Sequence, residues 1–170
     1  DAGPVFLTRS TPITAADTGG TLHDRLAALG ADALVAAWPG IVSGDLVPVA
    51  QDEAGACYAR RIEKAEARVD WAVPAEEIVR RIRAFNPWPV CETRLGDERI
   101  RLWCAEVRSP ESPAAPPPPP GRGRLAAGDG VDVAAAHGIV RVTELQAQGR
   151  RRLPARDFLN AIALDGARFT

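Results

Sequence analysis

Apolar residues recur at helical spacing in two stretches and at alternating spacing in most of the rest. Leu22, Leu26, Leu29 and Ala33 lie three and four apart, the stripe of an amphipathic helix. The pattern continues through Leu34 to about Val42, and Gly44 ends it. Thr21 with Asp24 three residues on predicts a capping box at the start, and Gly30 and Pro39 predict a break or kink inside. Before it, Pro4 to Arg9 reads as a short strand, followed by a loop through Pro12 and Asp17-Thr18-Gly19-Gly20. Strand then long helix predicts one arm of an α/β sheet. A second helix follows Pro74, with the stripe Ala75, Ile78, Ile82 and Phe85. Glu76 and Glu77 complement its positive end, and Arg80, Arg81 and Arg83 its negative end. Pro87 stops it. Between the helices, residues 45–70 have no clear period and read as a connector carrying basic groups.

Beyond Pro89 the period falls to two. Val90 to Leu95 and Arg99 to Val107 predict strands joined at Gly96-Asp97. Arg99 and Arg101 alternate with Ile100 and Leu102, so one face of that strand is wet and the other buried. Further strands are predicted near 124–127, 131–135 and 139–147, with turns at Gly128-Asp129-Gly130 and His137-Gly138. Pro154 opens a last helix through Leu164. Five short strands with flanking helices predict a small closed or Greek-key barrel. Residues 109–123 are rich in Pro, Ser and Ala, and 116–120 are five consecutive prolines. They read as a solvated insertion, about 15 Å of stiff polyproline II.

With 46% hydrophobic and 25% charged residues over 170 positions, the chain has ordinary globular composition, which excludes a disordered or collagenous one. No uninterrupted run of 18 apolar residues occurs, so no helix is expected to cross a bilayer. Cys57, Cys91 and Cys104 are odd in number and lack metal-ligand spacing, which suits a reducing compartment and small buried or half-buried fillers. The chain has no Met and begins at Asp1, so it is expected to be a fragment or a processed product, with no secretory signal. Charge divides unevenly. Residues 1–59 hold two arginines against seven acids, a net −5, and residues 60–170 a net +4. Such a split suggests two units with different partners, or solvated faces alone.

Neither His23, in a helix, nor His137, in a turn, has a nucleophile or metal partner at motif spacing, and no Gly-rich phosphate loop is present. Trp88, between Pro87 and Pro89, reads with Phe85 as an anchor of the second helix, and Trp71 as another. Basic groups cluster twice: Arg60, Arg61, Lys64 and Arg68 on the connector, and Arg150-Arg151-Arg152 before the last helix, with Gly149 freeing the backbone. Three adjacent like charges repel unless an anion compensates them, and guanidinium groups grip phosphate oxygens bidentately. Solvated surface is the alternative.

At these residues the chain resembles the C-terminal part of the methionyl-tRNA formyltransferase family. The likeness rests on Pro12-Ile13-Thr14 with Asp17 to Leu22, Gln51-Asp52-Glu53, Tyr58-Ala59, Lys64 to Trp71, Gly149-Arg150-Arg151, Asp157 to Asn160, and above all Ile82 to Pro89, in which Phe85-Asn86-Pro87-Trp88-Pro89 is the most specific part. The resemblance implies transfer of a formyl group from 10-formyltetrahydrofolate, a co-substrate, to the amino group of initiator methionyl-tRNA. It implies the tail of a Rossmann-like catalytic domain over 1–46, a basic linker over 47–65 and an OB-like β-barrel over 66–170. The family's catalytic aspartate falls on Asp1, its catalytic asparagine and histidine lie upstream, and the fragment alone is expected to be inactive. Arg60, Arg61, Lys64, Arg68 and Arg150 to Arg152 are the expected tRNA grip. A cytoplasmic monomer with no metal and no membrane partner is expected. The alternatives are a free-standing OB-type nucleic-acid module without an enzyme, and the C-terminal domain of a sugar-nucleotide formyltransferase.

Overall fold

A computed structural model describes residues 3–108, 119–125, 130–160 and 168–170. The chain divides into two compact units, Asp1–Ile62 and Glu63–Thr170.

The first unit is dominated by helix α1, Gly19–Ser43. Its N-cap is Thr18, whose hydroxyl accepts from the Thr21 N–H at 3.1 Å while the Thr21 hydroxyl accepts from the Thr18 N–H at 2.9 Å. The capping box therefore sits three residues earlier than the sequence suggested, because a Thr closes it as well as an acid does. Gly44 ends the helix in the left-handed region at φ 81°. No break divides α1 at Gly30 or Pro39; Pro39 lies inside the continuous helix. The expected strand at 4–9 reduces to one bridge, Val5 to Val49.

Only Ala37 of α1 is buried, and Leu26, Leu34, Val35, Trp38 and Val42 are exposed. By length and mean hydropathy α1 is apolar enough to cross a membrane, contrary to the expectation from uninterrupted runs. Asp32 and Gly30 interrupt the run but scarcely lower the average. A helix that covers a sheet passes the same test.

In the second unit, a 3-10 turn at Lys64–Ala67 leads into Val69 and Trp71, both buried. Helix α2, Ala75–Ala84, buries Ala75, Ile78, Val79 and Ile82. Its N-cap is Pro74, which has no N–H to leave unsatisfied. The strands follow: β1 Cys91–Leu95, β2 Glu98–Arg108, β3 Gly123–Leu125, β4 Val131–Ala134, β5 Ile139–Ala147 and β6 Leu153–Pro154, then helix α3, Ala155–Leu159. Among the described residues these six strands form one antiparallel sheet, ordered β1-β2-β5-β4-β3, with β6 beside β5. The path of named strands is open, where a closed barrel was expected. The polyproline run up to 118, the turn at 128–129 and the last helix beyond Asn160 lie outside the described residues.

Residues 168–170 touch both ends of that path. Arg94 and Thr170 exchange two backbone hydrogen bonds, at 2.7 and 3.0 Å, and the Phe169 N–H donates to the Gly121 carbonyl at 2.7 Å. Phe169 is buried against Trp71, ring centroids 6.1 Å apart. Trp71 donates its indole N–H to the Thr93 hydroxyl at 3.0 Å, and that hydroxyl donates to the Thr170 carbonyl at 3.0 Å. The anchor expected at Trp71 is thus part of this seam. Phe85 is likewise buried, but Trp88 is 49% exposed and anchors little. Pro87 and Pro89 both follow cis peptide bonds.

Candidate nucleic-acid interface

The ladder between β2 and β5 slips around position 103. Leu102 pairs with Leu145 and Cys104 with Glu144, so Trp103 is left without a register partner. Bulges re-aim side chains. The Trp103 carbonyl freed by the bulge accepts from the Asn86 side-chain amide at 3.0 Å. The asparagine of the Phe85–Pro89 run is therefore a structural clasp between the end of α2 and the bulge.

The Trp103 indole N–H donates to Gln146 Oε1 at 2.9 Å, and Gln146 Nε2 donates to the Arg150 carbonyl at 2.7 Å. The Arg150 N–H in turn donates to the Ala147 carbonyl at 3.0 Å. Gly149 takes φ 72° in this turn, a conformation open to glycine at little cost. One amide thus ties the bulge to the loop that carries the three arginines.

Those arginines do not behave alike. Arg150 and Arg151 are exposed. Arg152 lies over the Trp103 ring, 4.9 Å from its centroid, ion-pairs with Glu144, and reaches the Cys104 sulfur at 3.5 Å. On the connector, Arg60, Arg61, Lys64 and Arg68 are all exposed. Arg60 and Arg61 end the first unit, while Lys64 and Arg68 open the second. Arg68 bridges in parallel to Glu92 of β1. Asp1 lies outside the described residues.

Other basic side chains, read from the sequence only as a wet strand face, share the outer side of β1 and β2. Register places Arg94 opposite Arg99, and Glu92 opposite Arg101, which in turn stands opposite Gln146. A two-residue Gly96-Asp97 turn fixes this register, so the sequence held the signal.

Among the cysteines, Cys91 is buried as a filler, and burial pushes its thiol up to about 12. Cys104 is half-buried, but Cys57 is exposed rather than packed. His23 and His137 are exposed, and the His137 carbonyl accepts from the Ala75 N–H at 2.9 Å. In the first unit, Asp17 grips Arg25 with both oxygens, at 2.8 and 2.9 Å. Arg25 first, and then the Thr14 N–H, hold its carboxyl well below the usual carboxylate range. The Asp17-Thr18-Gly19-Gly20-Thr21 run is thus the cap of α1. Among the described residues no cluster of three His, Cys, Asp or Glu could hold a metal.

A bulged, arginine-rich antiparallel sheet with helices packed on β2 and β5 defines a class of small basic β modules. The chain belongs to the formyl transferase C-terminal domain family, whose pattern it matches over residues 61–163. It is 48% identical, over 99% of its own length, to a methionyl-tRNA formyltransferase of Methylococcus capsulatus. It is 46% identical, over 95% of its length, to that of Xanthomonas axonopodis. The chain spans about half the length of these relatives, 53% and 52%. Among solved structures, HypX from Aquifex aeolicus in complex with tetrahydrofolic acid superposes with a TM-score of 0.69 at 20% identity, covering 93% of this chain and 27% of that one. A variant of the same protein gives 0.71 over 95% and 28%. At that identity the likeness is one of fold. The named relatives favour neither a free-standing module nor a sugar-nucleotide enzyme.

Proposed function

We propose that this chain is the tRNA-gripping part of an enzyme that transfers a formyl group from 10-formyltetrahydrofolate to the amino group of initiator methionyl-tRNA. The observation that carries the reading is the 48% identity over 99% of the chain with a methionyl-tRNA formyltransferase. On this reading residues 1–46 end a Rossmann-like catalytic domain, 47–65 are a basic linker, and 66–170 are an OB-like barrel. The apolar exposed side of α1 supports the first assignment, since helices of a doubly wound domain cover a sheet. The hydrogen bonds from residues 168–170 to Arg94 and Gly121 support the last, because they span from one end of the strand path to the other. The enzyme works in the cytoplasm as a monomer.

Arg60, Arg61, Lys64, Arg68, Arg150 and Arg151 hold the tRNA backbone, and Arg152 sets the loop through Trp103 and Glu144. Asp1 is the catalytic carboxylate. Its asparagine and histidine partners belong to the part of the relatives' length that this chain does not span. The first unit has an open recess of about 560 Å³ between Val5–Thr8 and Val49–Asp52. Its Gln51 amide donates to the Gly3 carbonyl at 2.7 Å, and its Asp52 carboxylate accepts from Ala54 N–H at 3.0 Å. Both side chains are thus engaged with backbone atoms that line or adjoin the recess.

The test is binding of initiator tRNA to the 170-residue chain between 50 and 200 mM salt. Affinity should fall steeply with salt, because each phosphate contact releases counterions. Arg150, Arg151 and Arg152 replaced together by Ala should bind more weakly than the parent. Affinity that is flat with salt, or unchanged in the triple variant, would remove the grip. Formylation of methionyl-tRNA by this chain alone would overturn the division of catalytic residues.

A further inference from the structure

Trp88 is the aromatic residue of the second unit that packs least. Trp71, Phe85, Phe158 and Phe169 lie in the core, and Trp103 lies under Arg152 with its indole N–H committed to Gln146. Trp88 stays half exposed. Among the described residues its indole N–H has no acceptor, and its ring pairs with no aromatic ring or guanidinium.

The backbone beneath this ring is held in one place. Pro87 and Pro89 fix φ on either side, and the following proline restricts Trp88 itself. The Val90 N–H closes the loop by donating to the Phe85 carbonyl at 2.9 Å. Val90 is buried and takes φ 66°, a left-handed conformation that a β-branched residue adopts only where its surroundings compel it. Strain of this kind gathers at ligand clamps. Asn86 ties the loop to the Trp103 carbonyl, the Trp103 indole is tied to Gln146, and Gln146 to the Arg150 carbonyl. Hydrogen bonds through three side chains thus link the loop of Trp88 to the turn that presents Arg150.

Charge narrows the choice of ligand. From Ile78 to Cys91 the sequence holds Arg80, Arg81 and Arg83 and no acid. Arg81 is paired with Glu77, and Arg80 is exposed. An exposed indole in cationic surroundings suits a flat ring carried on a polyanion. Every nucleobase has such a π-face, and an unpaired nucleotide can offer it to a side chain.

We infer that Trp88 is a stacking platform for one unpaired base of the bound tRNA, held in place by the Phe85–Val90 loop. The inference rests on the RNA-binding reading above and adds to it a contact with a base, whose strength does not come from counterion release.

The test compares the 170-residue chain with Trp88→Leu and Trp88→Phe, on initiator tRNA and on a fully paired RNA duplex, at 50 and 200 mM salt. Trp88→Leu should lose between about fivefold and 150-fold in affinity for the tRNA. The factor should be the same at both salt concentrations, and binding to the duplex should not change. Trp88→Phe should keep most of the parent's affinity, because a smaller ring still stacks. If Trp88→Leu binds tRNA as tightly as the parent, the platform is wrong and the arginine grip stands. If it weakens tRNA and duplex alike, or if Trp88→Phe is as weak as Trp88→Leu, no base lies on the ring. If the parent binds neither RNA, the RNA-binding reading fails and the platform with it. A further measurement leaves Trp88 in place. Trp38 is the other exposed tryptophan, so in Trp38→Phe the emission most open to acrylamide belongs to Trp88. Saturating tRNA should shield that emission. Unchanged quenching by acrylamide overturns the platform even where Trp88→Leu does not fold.

Discussion

Gly121→Ala should be strongly damaging to the second unit. Gly121 has φ +82°, and a Cβ built there would lie 2.3 Å from the Phe169 carbonyl oxygen. The left-handed conformation costs an alanine about 1–2 kcal/mol. The contact is with backbone, so no rotamer change relieves it. Relief requires moving residues 168–170, which strains or breaks the 2.7 Å bond from the Phe169 N–H to the Gly121 carbonyl, worth about 1 kcal/mol. It also loosens the buried Phe169 ring against Trp71. The total is at least about 3 kcal/mol. For a unit of the size of Glu63–Thr170, 1 kcal/mol moves Tm by about 4 °C, so the midpoint should fall by about 12 °C. Calorimetry or far-UV circular dichroism against temperature reads this directly. Gly96→Ala is the control. Gly96 also has positive φ, +58°, but nothing lies within 4 Å of a Cβ there. It should lose only the conformational share, about 4–8 °C. Equal losses in the two variants would refute the claim that the Gly121–Phe169 approach is tight.

Three further outcomes follow from particular contacts. Arg141 grips the buried Asp132 carboxylate at 2.7 and 2.9 Å across β5 and β4, and Arg141→Ala should cost about 3 kcal/mol in urea unfolding by leaving that charge without its main partner. The Asp17 carboxyl is depressed in the folded chain, so its contribution is complete above the unfolded value of about 3.9 and is lost as pH falls below it. Nuclear magnetic resonance titration of the α1 N-terminus should show loosening only in that acidic range, and Asp17→Asn should abolish the dependence. At pH 8 an aromatic disulfide reagent should modify exposed Cys57 at once and Cys91 only on unfolding, since burial holds the Cys91 thiol at about 12; prompt labelling of Cys91 would contradict its burial.

Both long helices and the β1–β2 hairpin were legible in the sequence because each carries its period and its punctuation locally: Leu22 to Ala33, Ala75 to Phe85, and Gly96-Asp97 between alternating runs. The cap of α1 was misplaced because a Thr–Thr pair closes the box as an acid would. The role of Trp88 was overstated because flanking prolines fix a backbone direction without saying whether the ring meets a neighbour. The bulge at Trp103, the clasp by Asn86 and the stacking of Arg152 on Trp103 arise between residues 17 to 49 positions apart in sequence, and no local pattern encodes them. The connector and loop clusters of basic groups were visible as runs. The arginines of the β1–β2 face were visible only as alternation, and the register that aligns Arg94 with Arg99 converts that alternation into a surface.

The single side chain of Gln146 has its orientation fixed by its two neighbours. Its oxygen must face the indole and its nitrogen the Arg150 carbonyl, since a half-turn would set donor against donor and oxygen against oxygen. Hydrolysis of that amide to a carboxylate would keep the first partner and repel the second. A one-atom change would then free the arginine turn while leaving the tryptophan seated, separating the posture of the loop from the integrity of the sheet beneath it.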